Sequence, residues 1–385
     1  MTAALSLAGC ASAGRDLHPP ATTVTIGALI PLSGGAGPVG QSQAETLRAA
    51  VVEINARGGI EGHPIDLRLV DTGGLPATAA EAARNLATSP EVMAVVGPST
   101  TAETLSVIPV VQTAGLPLVS LADGGEIVRP VRAWVFKDTP SDAHAASRMY
   151  ECMKQRGVKR VAVLSADNPF GRGGDVQLRE QATAFGIRVV KTASFDAGAP
   201  DAEQIRAFLR DLDASAAQAL VVWSTPPGPA LIARLAREEA VAQPLVLSHA
   251  AATRAFIEDA AEVPNDSLLL ASPLLVSDRL PWNHPLRAVE AQYERWYETH
   301  FHEPPPLCAG HAWDALNLLR DALRNTMAVN RGEPSRAKVR AWLEETRNFI
   351  GTAGRFSFSP SEHNGPGRDA FVVLRAVDGV WILDP

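Results

Sequence analysis

Three consecutive hydroxyl residues, Ser99, Thr100 and Thr101, are the first candidates for chemistry in this sequence. They follow the apolar run Val92 to Gly97 and precede a helical pattern from Ala102 to Thr113, so they lie where a strand gives way to a helix. A helix N-terminus offers free backbone N–H groups and a partial positive charge, and hydroxyls placed there can bind an anion. The same residue types are also the usual N-caps of helices. The three residues are therefore predicted either to bind a ligand anion or only to cap the helix.

A glycine-rich segment, Gly35-Ala36-Gly37-Pro38-Val39-Gly40, has the spacing of a dinucleotide-binding motif. Pro38 removes a backbone N–H that the phosphates would need, and the acidic residue expected about 20 residues later lacks its strand context. No cofactor is therefore expected, and the glycines are predicted to shape the mouth of a ligand cleft.

Catalytic signatures are missing from the sequence. It contains no Gly-x-Ser-x-Gly, His-Glu-x-x-His or Cys-x-x-Cys motif. His300 and His302 lie on a polar helical stretch and are interpreted as solvated rather than metal-bound. The sequence predicts a protein that is not an enzyme and holds no metal.

Composition limits the class of protein further. A chain of 385 residues exceeds what one hydrophobic core usually serves, so two domains are expected. With 42 acidic and 35 basic side chains, the formal net charge is -7 and no basic cluster follows a phosphate backbone, which argues against nucleic acid as a partner. No apolar run approaches the roughly 20 residues that span a bilayer.

The N-terminal residues suggest export. Leu7-Ala8-Gly9-Cys10 ends a short apolar stretch and resembles the lipobox of bacterial lipoproteins, in which the cysteine is lipidated; a chance match is the alternative. Residues 11–23 are small, polar and proline-containing, as expected of a tether. Residues 1–21 are thus predicted to be signal and tether, with Cys10 as a lipid anchor. Cys152 and Cys308 could then pair in an oxidising compartment, or simply be buried.

Beyond the tether, short β-branched runs alternate with amphipathic stretches. Strands are predicted over Val24 to Ile30, Ile65 to Asp71, Val92 to Gly97, Leu116 to Ser120, Arg160 to Leu164, Ile187 to Ser194, Gln218 to Trp223 and Leu245 to Leu247. Three long helices without intervening strands are predicted over Arg287 to His300, Ala309 to Asn325 and Lys338 to Asn348, ahead of two terminal strands. The alternation pauses near Phe136 to Pro140, which marks a change of domain. This order predicts an α/β protein of two doubly wound parallel-sheet lobes.

Seven blocks occur in a recognisable order: Ile26 to Gly34, Glu53 to Gly62, Val95 to Thr101, Gly115 to Ser120, Asp167 to Gly171, Gly310 to Ala315 and Phe358 to Gly365, the last ahead of Asp378 to Trp381. Together they resemble the type I periplasmic binding proteins of the leucine/isoleucine/valine group, which serve branched-chain amino acid ABC importers. The resemblance implies a first lobe of residues 22–138 plus 276–365, a second lobe of residues 139–275 plus 366–385, and a hinge of three crossovers. It also implies a periplasmic or cell-surface monomer that binds a small ligand and meets an ABC permease.

The same resemblance implies a ligand site in the cleft. Ser99, Thr100 and Thr101 would face the ligand, and Ser120, Leu121 and Ala122 would present backbone groups to a ligand carboxylate. From the second lobe, Phe170 keeps an aromatic position of the family and Thr225 falls near a pocket tyrosine. Trp223 lies at a strand end, where it could stack on the ligand or belong to the core.

The family's acidic residue for a ligand ammonium group is not evident. The corresponding loop, Leu247 to Ala252, has no carboxylate, and His249 or Ala250 falls at that position. One alternative is that Asp123 or Asp167 supplies the anion from another wall of the cleft. The other, slightly favoured, is that the ligand has no ammonium group and that His249 faces its carboxylate or amide. The expected ligand is an amino acid, an amide or a small carboxylate. A ligand sensor of the same fold is the alternative function, and Cys10 favours transport.

Overall fold

The structure is a computed structural model that describes residues 23–329 and 332–384, so the predicted anchor Cys10 and its tether lie outside the described residues. The first sheet contains β1 (Val24–Ile30), β2 (Ile65–Asp71), β3 (Val92–Val96), β4 (Leu118–Ser120) and β5 (Val135–Lys137). Its strands stand in the order β2-β1-β3-β4-β5, and all neighbours are parallel. The helices α1 (Gly37–Ala56), α2 (Pro76–Thr88) and α3 (Thr101–Ala114) lie between the first four strands along the chain.

The remainder of the chain forms a larger sheet and a second group of helices. In chain order the elements are α4 (Asp142–Gln155), β6 (Arg160–Ala166), α5 (Pro169–Ala182), β7 (Arg188–Phe195), α6 (Ala202–Arg210), β8 (Ala219–Trp223), α7 (Gly228–Glu238), β9 (Leu245–Leu247), α8 (Arg254–Glu258), β10 (Leu268–Ala271), α9 (Arg287–Phe301), α10 (Leu307–Val329), α11 (Arg336–Glu344), β11 (Phe349–Gly351), β12 (Gly354–Phe356), β13 (Val372–Val377) and β14 (Val380–Asp384).

The second sheet has the order β14-β13-β10-β9-β8-β6-β7. Strands β6 to β10 pair in parallel, whereas β13 and β14 add an antiparallel edge. Apolar residues fill both faces of the central strands, and every residue of β1 and β8 is buried. Strands buried on both faces are the normal consequence of helices covering a parallel sheet.

The chain passes between the two lobes three times. It leaves the first sheet after β5, returns through residues 272–286, and crosses again between β12 and β13. Helices α10 and α11 belong to the first lobe, because Leu316, Leu319 and Leu343 share a core with Ile26 and Leu47. Loops at the carboxyl ends of both sheets therefore face a common cleft, where ligands bind in open parallel sheets.

The predicted α/β architecture of two doubly wound lobes is confirmed. The predicted bounds of β1, β2 and β9 are those observed, and α9, α10 and α11 do follow one another without a strand. Strand β5 overlaps the segment interpreted as a pause, and β10 and the β11–β12 hairpin were not predicted. These strands are three or four residues long, too short to show an alternation of their own.

Candidate functional site

A cavity of about 540 Å³ lies between the two lobes at the carboxyl ends of their strands. Its walls come from both lobes and from the crossovers, and most of the lining is apolar. The lining residues are Ala36, Val39, Gln43, Ser99, Thr100, Leu121, Asp123, Pro140, Phe170, Thr225, His249, Ala250, Ala252, Thr253, Ser272, Leu274, Leu307, Cys308, His311, Thr352, Ala353, Ala370 and Phe371. Seven of the twelve predicted ligand-binding residues are among them, namely Ser99, Thr100, Leu121, Asp123, Phe170, Thr225 and His249.

The hydroxyls at the start of α3 are already hydrogen-bonded. Ser99 Oγ donates to Gln43 Oε1 at 2.5 Å. Thr100 Oγ1 donates to Glu103 Oε2 at 2.6 Å and accepts from the Glu103 backbone N–H at 3.3 Å, which makes Thr100 the N-cap of the helix. Thr101 does not line the cavity; its Oγ1 accepts from the Gly124 N–H at 3.1 Å and so holds the loop that carries Asp123. The capping interpretation of Thr100 therefore describes its geometry.

Glu103 introduces a carboxylate at this helix N-terminus. Its side chain is buried, and Oε1 has no hydrogen-bond partner among the described residues. An acidic side chain in the first turn compensates the partial positive charge of the helix. The position that sequence reasoning assigned to a ligand anion thus already contains a negative group of the protein.

The end of β4 divides into buried and accessible residues. Ser120 Oγ forms a hydrogen bond with Thr104 Oγ1 at 2.9 Å and accepts from the Ala122 N–H at 3.2 Å. Ser120 and Ala122 are buried outside the lining, and the Ala122 carbonyl accepts from Thr139 Oγ1 at 2.7 Å. Leu121 and Asp123 do line the cavity. Of this segment, Asp123 is the residue that brings an ionisable side chain to the cavity.

Lys137, the last residue of β5, is a fully buried cation beside the cavity. Its Nζ donates to the Thr139 carbonyl and to Thr139 Oγ1, both at 2.8 Å, and to the Pro140 carbonyl at 3.1 Å. These three bonds use all three ammonium protons. No carboxylate of the described chain lies within ion-pair distance of Lys137, so it acts on its acidic neighbours only through longer-range attraction.

Several carboxyl groups surround Lys137. Burial raises the pKa of Asp123, although its side chain is exposed to the cavity, and the charge of Lys137 opposes that rise. Burial raises the pKa of Asp142 to about 7; Lys137 again opposes the shift, while the neighbouring charges of Asp123 and Glu126 add to it. Carboxyl groups outnumber the single cation here, so the cluster favours a positive charge in the cavity.

Asp138 lies deeper, beside this cluster. Both of its carboxyl oxygens are buried and have no hydrogen-bond partner among the described residues. Burial, with repulsion from Asp314, raises its pKa well above the usual range. The Oδ2 atom lies 3.9 Å from Nδ1 of the cavity residue His311, whose pKa is lowered to about 4 by burial and by Lys137. At neutral pH the His311 imidazole is therefore uncharged, and burial favours the protonated form of Asp138.

Aromatic rings form the wall of the second lobe. The His249 ring lies 5.5 Å from that of Phe170 and 5.3 Å from that of Phe371, and all three residues line the cavity. Burial, together with the charge of Lys137, lowers the pKa of His249 to about 4, so the imidazole is neutral. His249 Nε2 lies 4.0 Å from Asp142 Oδ1.

Two predicted second-lobe residues do not line this wall. Trp223 is fully buried and supports the rings of Phe170 and His249 from behind, at 5.7 and 5.8 Å. Asp167 points to solvent with a side chain 61% exposed and pairs with Arg172 at 2.6 Å. The structure thus places Asp123, and not Asp167, where a ligand could meet a carboxylate.

Other residues at the site were not predicted from the sequence. Phe371, His311 and Cys308 line the cavity, and Asp138 and Asp142 lie beside it. The sequence did contain a signal for two of them: His311 lies in the block Gly310 to Ala315 that resembles the family, and Asp138 lies in the predicted pause between the lobes. Cys308 and Cys152 are both free thiols, and Cys308 Sγ lies 3.2 Å from Ser42 Oγ.

Within residues 23–329 and 332–384, no cluster of His, Cys, Asp and Glu side chains has the make-up of a metal site. The helices of the same residues include none that is long and apolar enough to cross a membrane.

Comparisons with known proteins agree on one family. A family model described as periplasmic binding protein matches residues 23–379. A Leu/Ile/Val-binding protein homolog 8 of Brucella abortus is 24% identical over 198 residues, which is 49% of either chain. The Leu/Ile/Val-binding protein BraC3 of Rhizobium johnstonii is 28% identical over 180 residues, 46% of this chain and 49% of that protein. The chain thus spans about half the length of the curated relatives it matches.

Solved structures share the fold over nearly the whole chain. An ABC transporter substrate-binding protein from Desulfitobacterium hafniense in complex with Leu superposes with a TM-score of 0.75 at 19% identity, covering 94% of this chain and 100% of that one. An extracellular ligand-binding receptor from Rhodopseudomonas palustris gives a TM-score of 0.75 at 22% identity, with the same coverage.

Proposed function

Because this chain belongs to the periplasmic binding protein family, we propose that it is the extracytoplasmic solute-binding component of an ABC importer, which closes on a small polar ligand and delivers it to a permease. The observation that carries this proposal is the cavity between the lobes, lined by Asp123 of the first lobe and by Phe170 and His249 of the second. A ligand there can touch both lobes at once. Contacts of that kind stabilise the closed form, because they form together only when the lobes approach.

In this proposal the three crossovers form the hinge. The first lobe comprises residues 22–138 and 276–365, and the second lobe comprises residues 139–275 and 366–385. Asp138 and Pro140 lie on the first crossover and Phe371 near the end of the third. Residues that flank the cavity therefore also lie on the connecting segments. Such an arrangement couples occupancy of the cavity to the angle between the lobes.

Catalysis is not part of the proposed function. Cys308 is a nucleophilic side chain that lines the cavity, and burial raises the pKa of its thiol. A protonated thiol is a poor nucleophile. We expect ligands to be bound and released unchanged.

The proposal includes export and anchoring through lipidated Cys10. Replacing Cys10 with Ser in the native bacterium should move the protein from the membrane fraction to the soluble periplasmic or external fraction. An unchanged distribution would refute the anchor and leave the binding role standing.

Native mass spectrometry of the freshly purified protein tests the binding role. One small molecule per chain, released unchanged, is the expected result, and the melting temperature should rise with the concentration of added ligand. Small-angle scattering should show compaction with ligand in the parent and persistence of the open form in His249→Ala. Chemical turnover of the bound molecule would contradict the proposal.

A further inference from the structure

We infer that the ligand is an organic amine with an apolar body and no carboxylate, whose ammonium group binds between Asp123 and the aromatic wall formed by Phe170, His249 and Phe371. The inference rests on the proposed binding function and narrows its ligand to one chemical class. Four features of the cavity carry it.

The first feature is the excess of acidic groups. Asp123 lines the cavity, Asp142 lies 4.0 Å from the lining residue His249, and Asp138 lies 3.9 Å from the lining residue His311. Burial favours the protonated form of Asp138, which therefore adds no charge. Asp123 and Asp142 have no charged partner within ion-pair distance among the described residues, and a buried carboxylate needs a partner of opposite sign. A ligand cation would supply it.

The second feature is that the protein's own cation is committed elsewhere. Lys137 donates all of its ammonium protons to Thr139 and Pro140, on the crossover itself. It therefore stabilises the crossover and leaves the carboxylate of Asp123 free to accept from a ligand. The neutral rings of His249 and His311 add no positive charge at physiological pH.

The third feature is the aromatic wall. The rings of Phe170 and Phe371 flank His249 at 5.5 and 5.3 Å, and Trp223 packs against Phe170 and His249. The negative faces of aromatic rings attract cations, and groups of such rings recognise ammonium ligands. A carboxylate in the same position would lie next to the carboxyl group of Asp123, which lines the same cavity.

The fourth feature is the state of the helix terminus that would receive a ligand carboxylate. Ser99 and Thr100 donate their hydroxyl protons to Gln43 and Glu103, so both hydroxyls offer a ligand only acceptor oxygens. The buried carboxylate of Glu103 also compensates the helix charge. An amino acid would have to bring its carboxylate next to Glu103, whereas an amine would not.

The rest of the lining suits an apolar body. Val39, Leu121, Leu274 and Leu307 line the cavity with apolar side chains. A cavity of about 540 Å³ is within the range of small-molecule sites and has room for a branched alkyl or phenyl group.

Matched ligands test the inference directly. Isoamylamine, leucine and isocaproate share one branched alkyl body: the first carries only the amine, the second carries both the amine and the carboxylate, and the third carries only the carboxylate. Phenethylamine, phenylalanine and hydrocinnamate form a second set of the same kind with a phenyl body. Calorimetric titration of the full chain should show binding of at least one amine, weaker binding of the matching amino acid, and none of the carboxylate. Tighter binding of leucine or isocaproate than of isoamylamine, or no binding of either amine, would overturn the inference.

Two matched variants separate this inference from the proposed function. Asp123→Asn should weaken amine binding about tenfold or more, since a charge-assisted hydrogen bond is lost. Asp167→Asn, on an exposed residue outside the cavity, should bind as the parent does. Equal affinity in Asp123→Asn would refute the placement of the ammonium group. If instead the amines fail while native mass spectrometry finds another small molecule bound, the binding role stands and only the ligand class is wrong.

Discussion

The Oδ2 atom of Asp138 lies 3.9 Å from Nδ1 of His311, and neither atom has a hydrogen-bond partner among the described residues. Asp138 follows β5 on the first crossover, and His311 lies near the start of α10. The distance is too long for a direct hydrogen bond. An approach of about 1 Å would bring the two atoms within hydrogen-bond distance.

Asp138→Asn tests the protonation state of this pair. Because the pKa of Asp138 is well above its usual range, the folded protein keeps a proton that the unfolded chain loses above about pH 4. The parent therefore loses stability from this group as pH rises, by up to about 1.4 kcal/mol per pH unit. Asp138→Asn lacks this loss, so its free energy of unfolding relative to the parent should increase between pH 5 and pH 8 in urea titrations.

Asp167→Asn, on an exposed side chain outside the cavity, provides the matched control for that measurement. If the free energy of unfolding of Asp138→Asn instead falls relative to that of the parent between pH 5 and pH 8, the Asp138 carboxylate is ionised and stabilising in the folded state.

Amine binding should depend on pH through Asp142. Its pKa is raised to about 7, and the groups that face it are Lys137, Asp123, Glu126 and His249. A ligand cation favours the ionised carboxylate, so affinity should be highest above pH 7 and fall as pH drops toward 5, by up to about tenfold per pH unit for one coupled proton. Calorimetry in buffers of different ionisation enthalpy should show proton release on binding at pH 6.

In Asp142→Asn this dependence should become shallower, while a residual slope from Asp123 remains. Tighter amine binding at pH 5 than at pH 8 in the parent would contradict the electrostatic argument for the cavity.

How far the sequence predicts the molecule depends on the range of the interactions involved. The bounds of β1 and β2 follow from local apolar runs, and the order of strands and helices follows from their alternation. Asp142 and His249 are over 100 residues apart in the chain, and only the folded structure brings the first turn of α4 to within 4.0 Å of the segment that follows β9. Trp223 ends a strand and was predicted either to stack on the ligand or to belong to the core; its side chain is fully buried in the core. Which face a strand-end residue occupies depends on register, which a buried strand does not reveal in its sequence.

Thr101 should act through the loop that it holds. Its Oγ1 accepts from the Gly124 N–H, next to Asp123. Thr101→Ala removes that bond and should weaken amine binding several-fold by loosening Asp123, with a loss of about 1 kcal/mol in stability. Thr101→Ser keeps the hydroxyl and should restore most of the affinity. The pH dependence of amine affinity should flatten in Thr101→Ala and not in Thr101→Ser. Equal affinities and equal pH dependence in the parent and both variants would exclude a positioning role for Thr101.

Gly174→Ala should disturb the aromatic wall from behind. A Cβ at Gly174 would lie 2.1 Å from Cε2 of Trp223, so the indole must move, and it supports both Phe170 and His249. Overpacking of this kind costs about 1–3 kcal/mol, which urea unfolding would detect. Gly35→Ala is the control, because a Cβ there meets no atom within 4 Å. Because the displaced indole would tilt the rings of Phe170 and His249, ligand affinity should fall more in Gly174→Ala than in Gly35→Ala. The near-ultraviolet circular dichroism, which reports on the environment of tryptophan side chains, should also change in Gly174→Ala. A Gly174→Ala protein as stable as the parent would show that Trp223 has room to shift and does not fix the wall.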